Sequence, residues 1–309
     1  MAGETRRSAP DGRPVRPFVM PASLGGKLAV WRYILLRRIV QVVVLLLFFG
    51  TAHSAWTLGG KPLLAGNLSS SKLAGLVPLA DPFATLQILF TGHLVESEVL
   101  LGAAIILVAF LLLGGRIWCA WICPVNMVTD LAGWLRKRLQ IPDAFSIGRY
   151  LRYILMAMTL ILSFLTGLAA FEWVSPISMF HRELIFGLGM GWMAVLAVFL
   201  FDLLILRHGW CGHLCPLGAF YAILGKFGLL KIGFDAPTCT HCVECVQVCP
   251  EPQVLDFRKA GEEWMISSGE CTNCGRCITV CPEETLSYQL RPRIAQRAKQ
   301  QTNDRRSAT

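Results

Sequence analysis

Long runs of apolar residues dominate the first two thirds of the chain, and charged residues are confined to the segments between them. Four runs are apolar enough to cross a bilayer, which takes roughly 20 residues of helix. They cover residues 39–57, 99–115, 153–171 and 185–206, and Asp202 is the one Asp, Glu, Lys or Arg residue within them. Core helices of soluble proteins are rarely apolar over such lengths. The pattern therefore predicts an α-helical membrane protein with four transmembrane helices.

The first run is also consistent with a cleaved secretory signal. Arg37 and Arg38 precede it, and small residues at 51–55 would suit a cleavage site. Cleavage would leave three spans and would place the carboxyl-terminal part outside the cytoplasm. The distribution of basic residues favours a retained span instead.

Lysine and arginine alternate between rich and poor segments. Residues 1–38, 53–97, 116–152, 172–184 and 207–309 carry eight, two, six, one and twelve of them, respectively. Cytoplasmic loops of membrane proteins are enriched in these residues. The alternation predicts a multi-pass protein of the bacterial inner membrane with both ends in the cytoplasm.

Composition narrows the class of protein further. The chain of 309 residues is 54% hydrophobic and 16% charged, against about 25% charged in soluble domains, which argues against an ordinary cytosolic enzyme. Its net charge of +9 follows from the basic loops, so we expect no nucleic-acid partner. Segments 1–30 and 291–309 are predicted to be basic cytoplasmic ends.

Eight of the twelve cysteines fall in two runs of identical spacing near the carboxyl end. Each run reads Cys-x2-Cys-x2-Cys-x3-Cys-Pro, starting at Cys239 and at Cys271. This is the spacing of bacterial ferredoxins, in which the fourth cysteine of each run ligates the cluster held by the other run. The expected ligands are Cys239, Cys242, Cys245 and Cys281 for cluster 1, and Cys271, Cys274, Cys277 and Cys249 for cluster 2. The spacing predicts two [4Fe–4S] clusters in a small α+β ferredoxin domain over 231–290.

Zinc and disulfide bonds are the alternatives for these eight cysteines. Zinc also binds four thiolates, but it does not account for the same spacing of four cysteines followed by proline occurring twice. A disulfide array needs an oxidising compartment, whereas the charge pattern places this end in the cytoplasm.

The other four cysteines form a second repeat, which divides the predicted membrane domain 31–230 into two hairpins. Trp118-Cys119-x3-Cys123-Pro124 follows the second apolar run, and Trp210-Cys211-x3-Cys215-Pro216 follows the fourth. These four thiols either converge on a redox or metal site or pack as small apolar residues at a duplicated corner. The recurrence of tryptophan and proline favours the redox or metal role.

Two stretches around this repeat resemble the NapH family, the ferredoxin-type membrane quinol dehydrogenase subunits of periplasmic nitrate reductase systems. They are RIWCAWICPVNMVTDLAGWLRKR and HGWCGHLCPLGAFY, followed by the two ferredoxin runs. The resemblance covers roughly residues 30–290. It implies a membrane electron-transfer subunit that oxidises quinol and passes electrons through iron–sulfur centres towards a periplasmic ferredoxin-type partner and the periplasmic nitrate reductase.

Two other functions remain open at this stage. The chain is also compatible with a copper- or thiol-reducing maturation factor for a respiratory oxidase or reductase, acting through the second cysteine repeat. A structural membrane anchor for a periplasmic ferredoxin is the third reading.

Quinol oxidation releases two protons, so its site needs proton acceptors beside an apolar slot. On the predicted outer side, Glu172, His181 and Glu183 are the residues of the right type, because modest burial or a neighbouring charge brings such groups towards neutral pKa values. We therefore predict a quinol site there.

Overall fold

The computed structural model describes residues 18–52, 56–58, 61–145, 147–187, 189–235, 238–255 and 265–292, and most of these residues are helical. The predicted basic ends lie largely outside the described residues. The α-helices are α1 (Leu24–Ala52), α2 (Pro82–Phe90), α3 (Ser97–Leu113), α4 (Ile117–Trp121), α5 (Val125–Leu139), α6 (Leu151–Thr166), α7 (Ala170–Val174), α8 (Pro176–Phe186), α9 (Gly191–Leu200), α10 (Pro216–Gly225), α11 (Glu244–Val248) and α12 (Arg276–Thr279). The strands are β1 (Thr57–Leu58), β2 (Lys61–Pro62), β3 (Leu64–Gly66), β4 (Ser70–Leu73), β5 (Val77–Ala80), β6 (Leu230–Phe234) and β7 (Leu286–Leu290).

The four apolar runs predicted to be helical form α1, α3, α6 and α9. Among the described residues, α1 is the one helix both long and apolar enough to cross a membrane by itself, and the other three belong to apolar helices of 10–17 residues. Helix formation is thus confirmed at all four places. Spanning by α3, α6 and α9 stays a prediction.

Two of these helices have bounds that differ from the prediction. Helix α1 begins at Leu24 rather than at residue 39, because arginine is a good helix former and Arg37 is buried against other parts of the chain. The fourth run starts later than predicted. Gly187, with φ of 98°, ends α8, and α9 begins at Gly191 and continues into a wide π-type turn over Phe201–Ile205.

Large apolar side chains remain exposed along the outside of the bundle. Val108 and Leu112 on α3, Ile161 and Leu165 on α6, and Leu196 on α9 are each more than half exposed. Contiguous apolar surface of this kind marks contact with a membrane or with another protein.

The segment after α1 forms a small antiparallel sheet in the order β3-β4-β5, followed by α2. Helix α2 starts sharply because Asp81 caps its first backbone N–H groups and Pro82 occupies the first helical position. The sequence prediction places no sheet in this segment.

The carboxyl-terminal unit is closed by antiparallel pairing of β6 with β7, in which Ile232 lies opposite Tyr288. Its core contains Ile232, Phe234, Val254, Ile266 and Leu286, packed with several cysteines of the two ferredoxin runs. The strands that join the two ends of this unit are therefore the ones that bring the two cysteine runs together.

Contacts between distant segments fall at two ends of the bundle. At the first, which we call the cysteine end, Tyr33 near the start of α1 packs edge-on against Tyr288, with ring centroids 5.6 Å apart. At the second, which we call the distal end, Phe48 packs edge-on against His181, with centroids 4.7 Å apart. Tyr33 and Tyr288 belong to segments predicted to lie inside the cell, and His181 belongs to a segment predicted to lie outside. Helix α5, from a segment predicted inside, also packs against α8, from a segment predicted outside.

Candidate functional site: two cysteine sets and the surrounding polar contacts

The two ferredoxin runs share an unusual backbone conformation. His241 and Val243 in the first run, and Asn273 and Gly275 in the second, all have positive φ, between 48° and 75°. These are the equivalent positions of the two runs. Positive φ is costly for a β-branched residue such as Val243. Such strain persists where the surroundings enforce it and occurs often at ligand sites, so the repeated sequence folds into a repeated, strained ligand loop.

The first predicted set of cysteines is gathered around one small cavity. Cys239, Cys242, Cys245 and Cys281 all line it, together with Thr240. Burial raises the pKa of the Cys245 thiol to about 12, and the neighbouring thiols add to the rise. The hydroxyl oxygen of Thr240 is buried without a hydrogen-bond partner among the described residues.

The second predicted set also comes together. Burial raises the pKa of the Cys277 thiol well above its ordinary value, and the three other thiols that act on it most are Cys274, Cys271 and Cys249. Thiols crowded in this way ionise only when a cation compensates them, which a bound metal does. The donor set and its environment therefore fit an iron–sulfur cluster.

Within the described part of the chain, no three Cys, His, Asp or Glu side chains lie close enough together to surround a single metal ion. A zinc ion holds its sulfur ligands at about 2.3 Å, whereas four irons and four sulfides occupy a larger volume. Four thiols in each set are the donors that a [4Fe–4S] cluster takes.

The second cysteine repeat forms two similar corners. Cys119 lies in the short helix α4, and Cys211 lies in a single π-type helical turn over Trp210–Leu214. In each corner the second cysteine of the repeat directly precedes a proline at the start of the next helix, where proline is favoured. Both prolines therefore lie at or directly before the first residue of a helix.

The four thiols of this repeat face a shared interior. Cys123 and Cys215 are buried in one apolar cluster, against which Cys119 packs. Burial raises the pKa of the Cys211 thiol, as do the thiols of the other three cysteines, which places all four within electrostatic range of one another. Their role as a redox or metal site remains a prediction.

Arg116 connects both cysteine repeats through a single buried guanidinium group. Its side chain is 1% exposed and donates to the Glu251 carboxylate at 2.8 Å. It also donates to the backbone oxygens of Glu270 at 2.9 Å and Cys211 at 3.1 Å. Glu251 follows the Cys249-Pro250 step, and Glu270 directly precedes Cys271. One residue of the first hairpin therefore holds the second hairpin and both ferredoxin runs.

Two more arginines complete this network. Arg149 and Arg152 pair with Glu251, and Arg152 also pairs with Glu270. Burial by itself would raise the pKa of the Glu251 carboxyl, but the three guanidinium groups outweigh burial and hold that pKa below its usual range. The carboxylate is therefore kept charged in a buried place.

A second buried carboxylate, Asp130 on α5, ties the same unit to α1. It pairs with Arg37, Arg38 and Arg276, and its side chain is 8% exposed. Burial would raise the pKa of Asp130, but the surrounding cations, with Arg276 and Arg37 the strongest, hold it far below its usual range. Arg276 lies between Cys274 and Cys277, so this contact also reaches the second cysteine set.

Hydrogen bonds between uncharged groups also join the helices to the second ferredoxin run. The Trp121 indole, within the first repeat of the Trp-Cys motif, donates to the backbone oxygen of Asn273 at 3.1 Å. The Asn273 amide donates to the backbone oxygens of Leu113 and Leu230. The end of α3 and the second ferredoxin run are thus joined directly.

Asp202, the one acidic residue within the predicted spans, is fully buried. Its carboxylate accepts the backbone N–H of Trp210 at 2.9 Å. This hydrogen bond positions the start of the second Trp-Cys motif.

The residues predicted to form the quinol site separate into two groups at the distal end. Glu172 and His181 line one cavity of about 700 Å³, where the Glu172 carboxylate accepts from the hydroxyls of Ser69 and Ser178, each at 2.8 Å. Glu183 accepts instead from the backbone N–H groups of Gly189 and Gly191. It therefore caps the start of α9 and takes no part in lining that cavity.

A second cavity, of about 720 Å³, lies at the cysteine end, and sequence reasoning missed it. Its wall is mostly apolar and includes residues of α1, α5 and α8. The polar residues that line it are Arg38, Asp130, Lys137, Arg207, His208 and Arg276. Burial lowers the pKa of His208 to about 4. The signal available in the sequence was Arg207-His208, directly before the second Trp-Cys motif.

Comparison with known protein families gives the class of protein. The family described as a 4Fe-4S dicluster domain matches residues 238–285, which hold both ferredoxin runs. The family described as a 4Fe-4S binding domain matches residues 98–142 and 186–235, which hold both Trp-Cys motifs. The chain is a ferredoxin-type electron-transfer protein.

Individual relatives are similar over most of the chain. The ferredoxin-type protein NapH of Escherichia coli strain K12 is 46% identical over 226 residues, covering 72% of this chain and 77% of the relative. The methylamine utilization ferredoxin-type protein MauN of Methylorubrum extorquens is 47% identical, covering 74% and 79%. NapH of Haemophilus influenzae is 42% identical, covering 72% and 77%. The chain belongs to the NapH and MauN family of ferredoxin-type proteins. No solved structure is detectably similar to it.

Proposed function

We propose that this chain is a four-span membrane subunit that oxidises quinol and passes the electrons through two [4Fe–4S] clusters towards a periplasmic ferredoxin-type partner and a periplasmic nitrate reductase. The observation that carries the proposal is the buried contact of Arg116 with Glu251, Glu270 and Cys211. It fixes the cysteine-rich unit against the ends of the apolar helices, where a membrane-soluble electron donor would meet it.

The cluster ligands are those of the two gathered sets. Cys239, Cys242, Cys245 and Cys281 would hold cluster 1, and Cys271, Cys274, Cys277 and Cys249 would hold cluster 2. Bound there, each cluster supplies a one-electron acceptor. Oxidation of one quinol to quinone releases two electrons and two protons, so the two clusters together match one quinol, and the protons leave through polar side chains of the site.

The orientation proposed is that of both ends in the cytoplasm. The sorting of contacts supports it, since the start of α1, the 116–152 segment and the carboxyl-terminal unit meet at the cysteine end. Loops 56–97 and 172–184 meet at the distal end, where Ser69 donates to Glu172. That arrangement is the one an even number of spans requires.

The four thiols of the Trp-Cys motifs are proposed as a redox or metal site on the route from the clusters to the periplasmic side. A hydrocarbon core about 30 Å thick separates the two faces, so an intermediate centre would shorten the path. Their mutual proximity and the family match over both motifs support this role.

Rapid anaerobic mixing tests the proposal. Purified full-length protein in lipid nanodiscs is mixed with a short-chain ubiquinol, and the visible absorbance of the iron–sulfur clusters is followed. Bleaching that depends on quinol concentration is expected. No bleaching, with clusters that dithionite still reduces, would exclude quinol oxidation and would favour the structural anchor.

Two alternatives are supported by particular observations. The relatives named for methylamine utilization are as similar to the chain as those named NapH. The first alternative is therefore that the electrons go to a methylamine-utilization system. Membranes that contain or lack the chain, supplied with quinol and periplasmic nitrate reductase, distinguish the two acceptors.

The proximity of four thiols also suits copper reduction. Copper content of a Cys119→Ser, Cys123→Ser double variant tests that alternative.

A further inference from the structure

The cavity at the cysteine end has the shape of a slot with one polar end. Its wall follows α1 from Ile34 to Leu45, which is about 16 Å at 1.5 Å per residue. Met127, Leu131 and Phe180 line the same slot. Its volume of about 720 Å³ is in the range of sites that hold a small organic ligand. An elongated apolar ligand with a small polar head would fit such a space.

His208 supplies the polar end. It lines the cavity and is 5% exposed, and the charged groups that act on its imidazole are Asp130, Arg207, Arg276 and Glu251. Its backbone φ is 51°, an uncommon conformation that the surrounding structure must enforce. A neutral imidazole offers one donor and one acceptor, so it accepts from a hydroxyl or donates to a carbonyl.

The wall around His208 also has unused hydrogen-bonding capacity. Among the described residues, one side-chain atom of each of Asp130, Arg207 and Arg276 is buried without a partner. Since buried polar atoms are nearly always paired, three such atoms in the wall of one cavity indicate a missing polar partner.

The polar end lies beside the second cysteine set. Arg276 and Val248 line the cavity and are neighbours in sequence of Cys277 and Cys249, respectively. The thiol of Cys249 also favours the charged form of the Arg207 and Arg276 guanidinium groups and so acts to raise their pKa. Leu131 and Trp134 also line the cavity and are more than half exposed, which gives a long apolar ligand a way in along α5.

The geometry points to this cavity as the binding site of the quinol head group, with His208 as the hydrogen-bonding residue and the isoprenoid tail lying along α1 between Met127 and Phe180. This inference rests on the proposed function and locates its substrate. It differs from the sequence-based expectation, which puts the quinol beside Glu172 and His181.

Photoaffinity labelling tests the location without relying on activity. The full-length protein in nanodiscs is irradiated with an azido-ubiquinone, with and without excess decylubiquinone, and the labelled peptides are identified by mass spectrometry. We expect competed label within α5 or within residues 34–45 of α1. Competed label confined to residues 66–69 and 172–173, which line the distal cavity, would overturn the inference and leave quinol oxidation intact. Absence of any competed label would overturn it as well.

A matched pair of variants sharpens this test. Val128→Trp fills the cavity that Val128 lines, whereas Val108→Trp places the same side chain on α3 at a position 54% exposed. We expect at least about a tenfold weaker affinity for the probe, or about 1.4 kcal/mol, in Val128→Trp and no change in Val108→Trp. Iron content equal to that of the parent protein confirms folding. Equal labelling of the two variants would contradict the assignment. Quinol-driven bleaching in the same preparations reports separately on the proposed function.

Discussion

The two ends of the helical bundle both carry buried polar residues and a cavity, yet they use them differently. At the distal end, Glu183 caps α9, and Glu172 joins Ser69 to Ser178. At the cysteine end, Arg116 joins the first hairpin to the second Trp-Cys motif and to the residues beside both ferredoxin runs. Proton-accepting residue types alone therefore do not identify a site. What distinguishes the ends is which of them connects the helices to the cysteine sets.

Substitution of a cysteine ligand should give the largest difference between the two ends, measured as the iron content of the protein. In Cys277→Ser, one cluster loses a thiolate ligand that serine replaces poorly, and we expect iron to fall from about eight to about four atoms per chain. His181→Gln at the distal end should leave the iron content unchanged. Metal analysis with low-temperature EPR checks both. Full iron occupancy in Cys277→Ser would contradict the ligand assignment.

Loss of the Arg116 contact should be the next largest effect. Arg116→Met leaves Glu251 buried with one cation fewer, and breaking a buried ion pair in this way costs about 3–5 kcal/mol. The comparable pair at the distal end, Lys72 with Glu98, is more than half exposed on both sides. Lys72→Met should therefore have no measurable effect.

Thermal unfolding in detergent, followed by circular dichroism and by loss of cluster absorbance, compares these two variants. A stability of Arg116→Met equal to that of Lys72→Met would show that the docking network does not hold the carboxyl-terminal unit.

Alanine substitutions at two glycines with positive φ, one at each end of the bundle, test how closely the chain packs there. Gly114 closes α3 at the cysteine end, and a Cβ there would lie 2.9 Å from the backbone oxygen of Leu230, whereas a Cβ on Gly167 would meet nothing within 4 Å. Alanine at either position pays about 1–2 kcal/mol for the left-handed backbone, and overpacking at Gly114 adds about 1–3 kcal/mol. Equal unfolding free energies for the two alanine variants would contradict the close approach of α3 to β6.

The smallest expected effect concerns the two histidines that line the cavities. His208→Gln should slow quinol-driven bleaching about tenfold, the equivalent of about 1.4 kcal/mol, because glutamine orients a quinol less well. His181→Gln should change the rate less than twofold. The reverse order of effects would transfer the quinol site to the distal cavity.

The parts of the account that the sequence predicts are those encoded locally. Cysteine spacing indicates both cluster sets, since a ferredoxin loop needs its ligands within a few residues of one another, and apolar runs indicate all four helices. Helix α1 begins at Leu24, before the apolar run. Arg37, in this additional part of the helix, is paired with Asp130, a residue distant in sequence.

The features that the sequence does not predict depend on contacts between segments far apart along the chain. The cysteine-end cavity is assembled from α1, α5, α8 and residues 207–208. In the sequence, Asp130 and His208 are ordinary polar residues of segments that are predicted to lie in the cytoplasm. Only their burial against the second cysteine run makes them candidates for a site.

The most direct test of the central claim is an iron, sulfide and zinc analysis of the purified full-length chain, combined with low-temperature EPR before and after anaerobic addition of quinol. We expect about eight irons and eight sulfides in the two sets, further iron only if the Trp-Cys motifs hold a centre, and reduced-cluster signals that appear with quinol. Zinc in place of iron, or clusters that stay oxidised in excess quinol, would contradict the account.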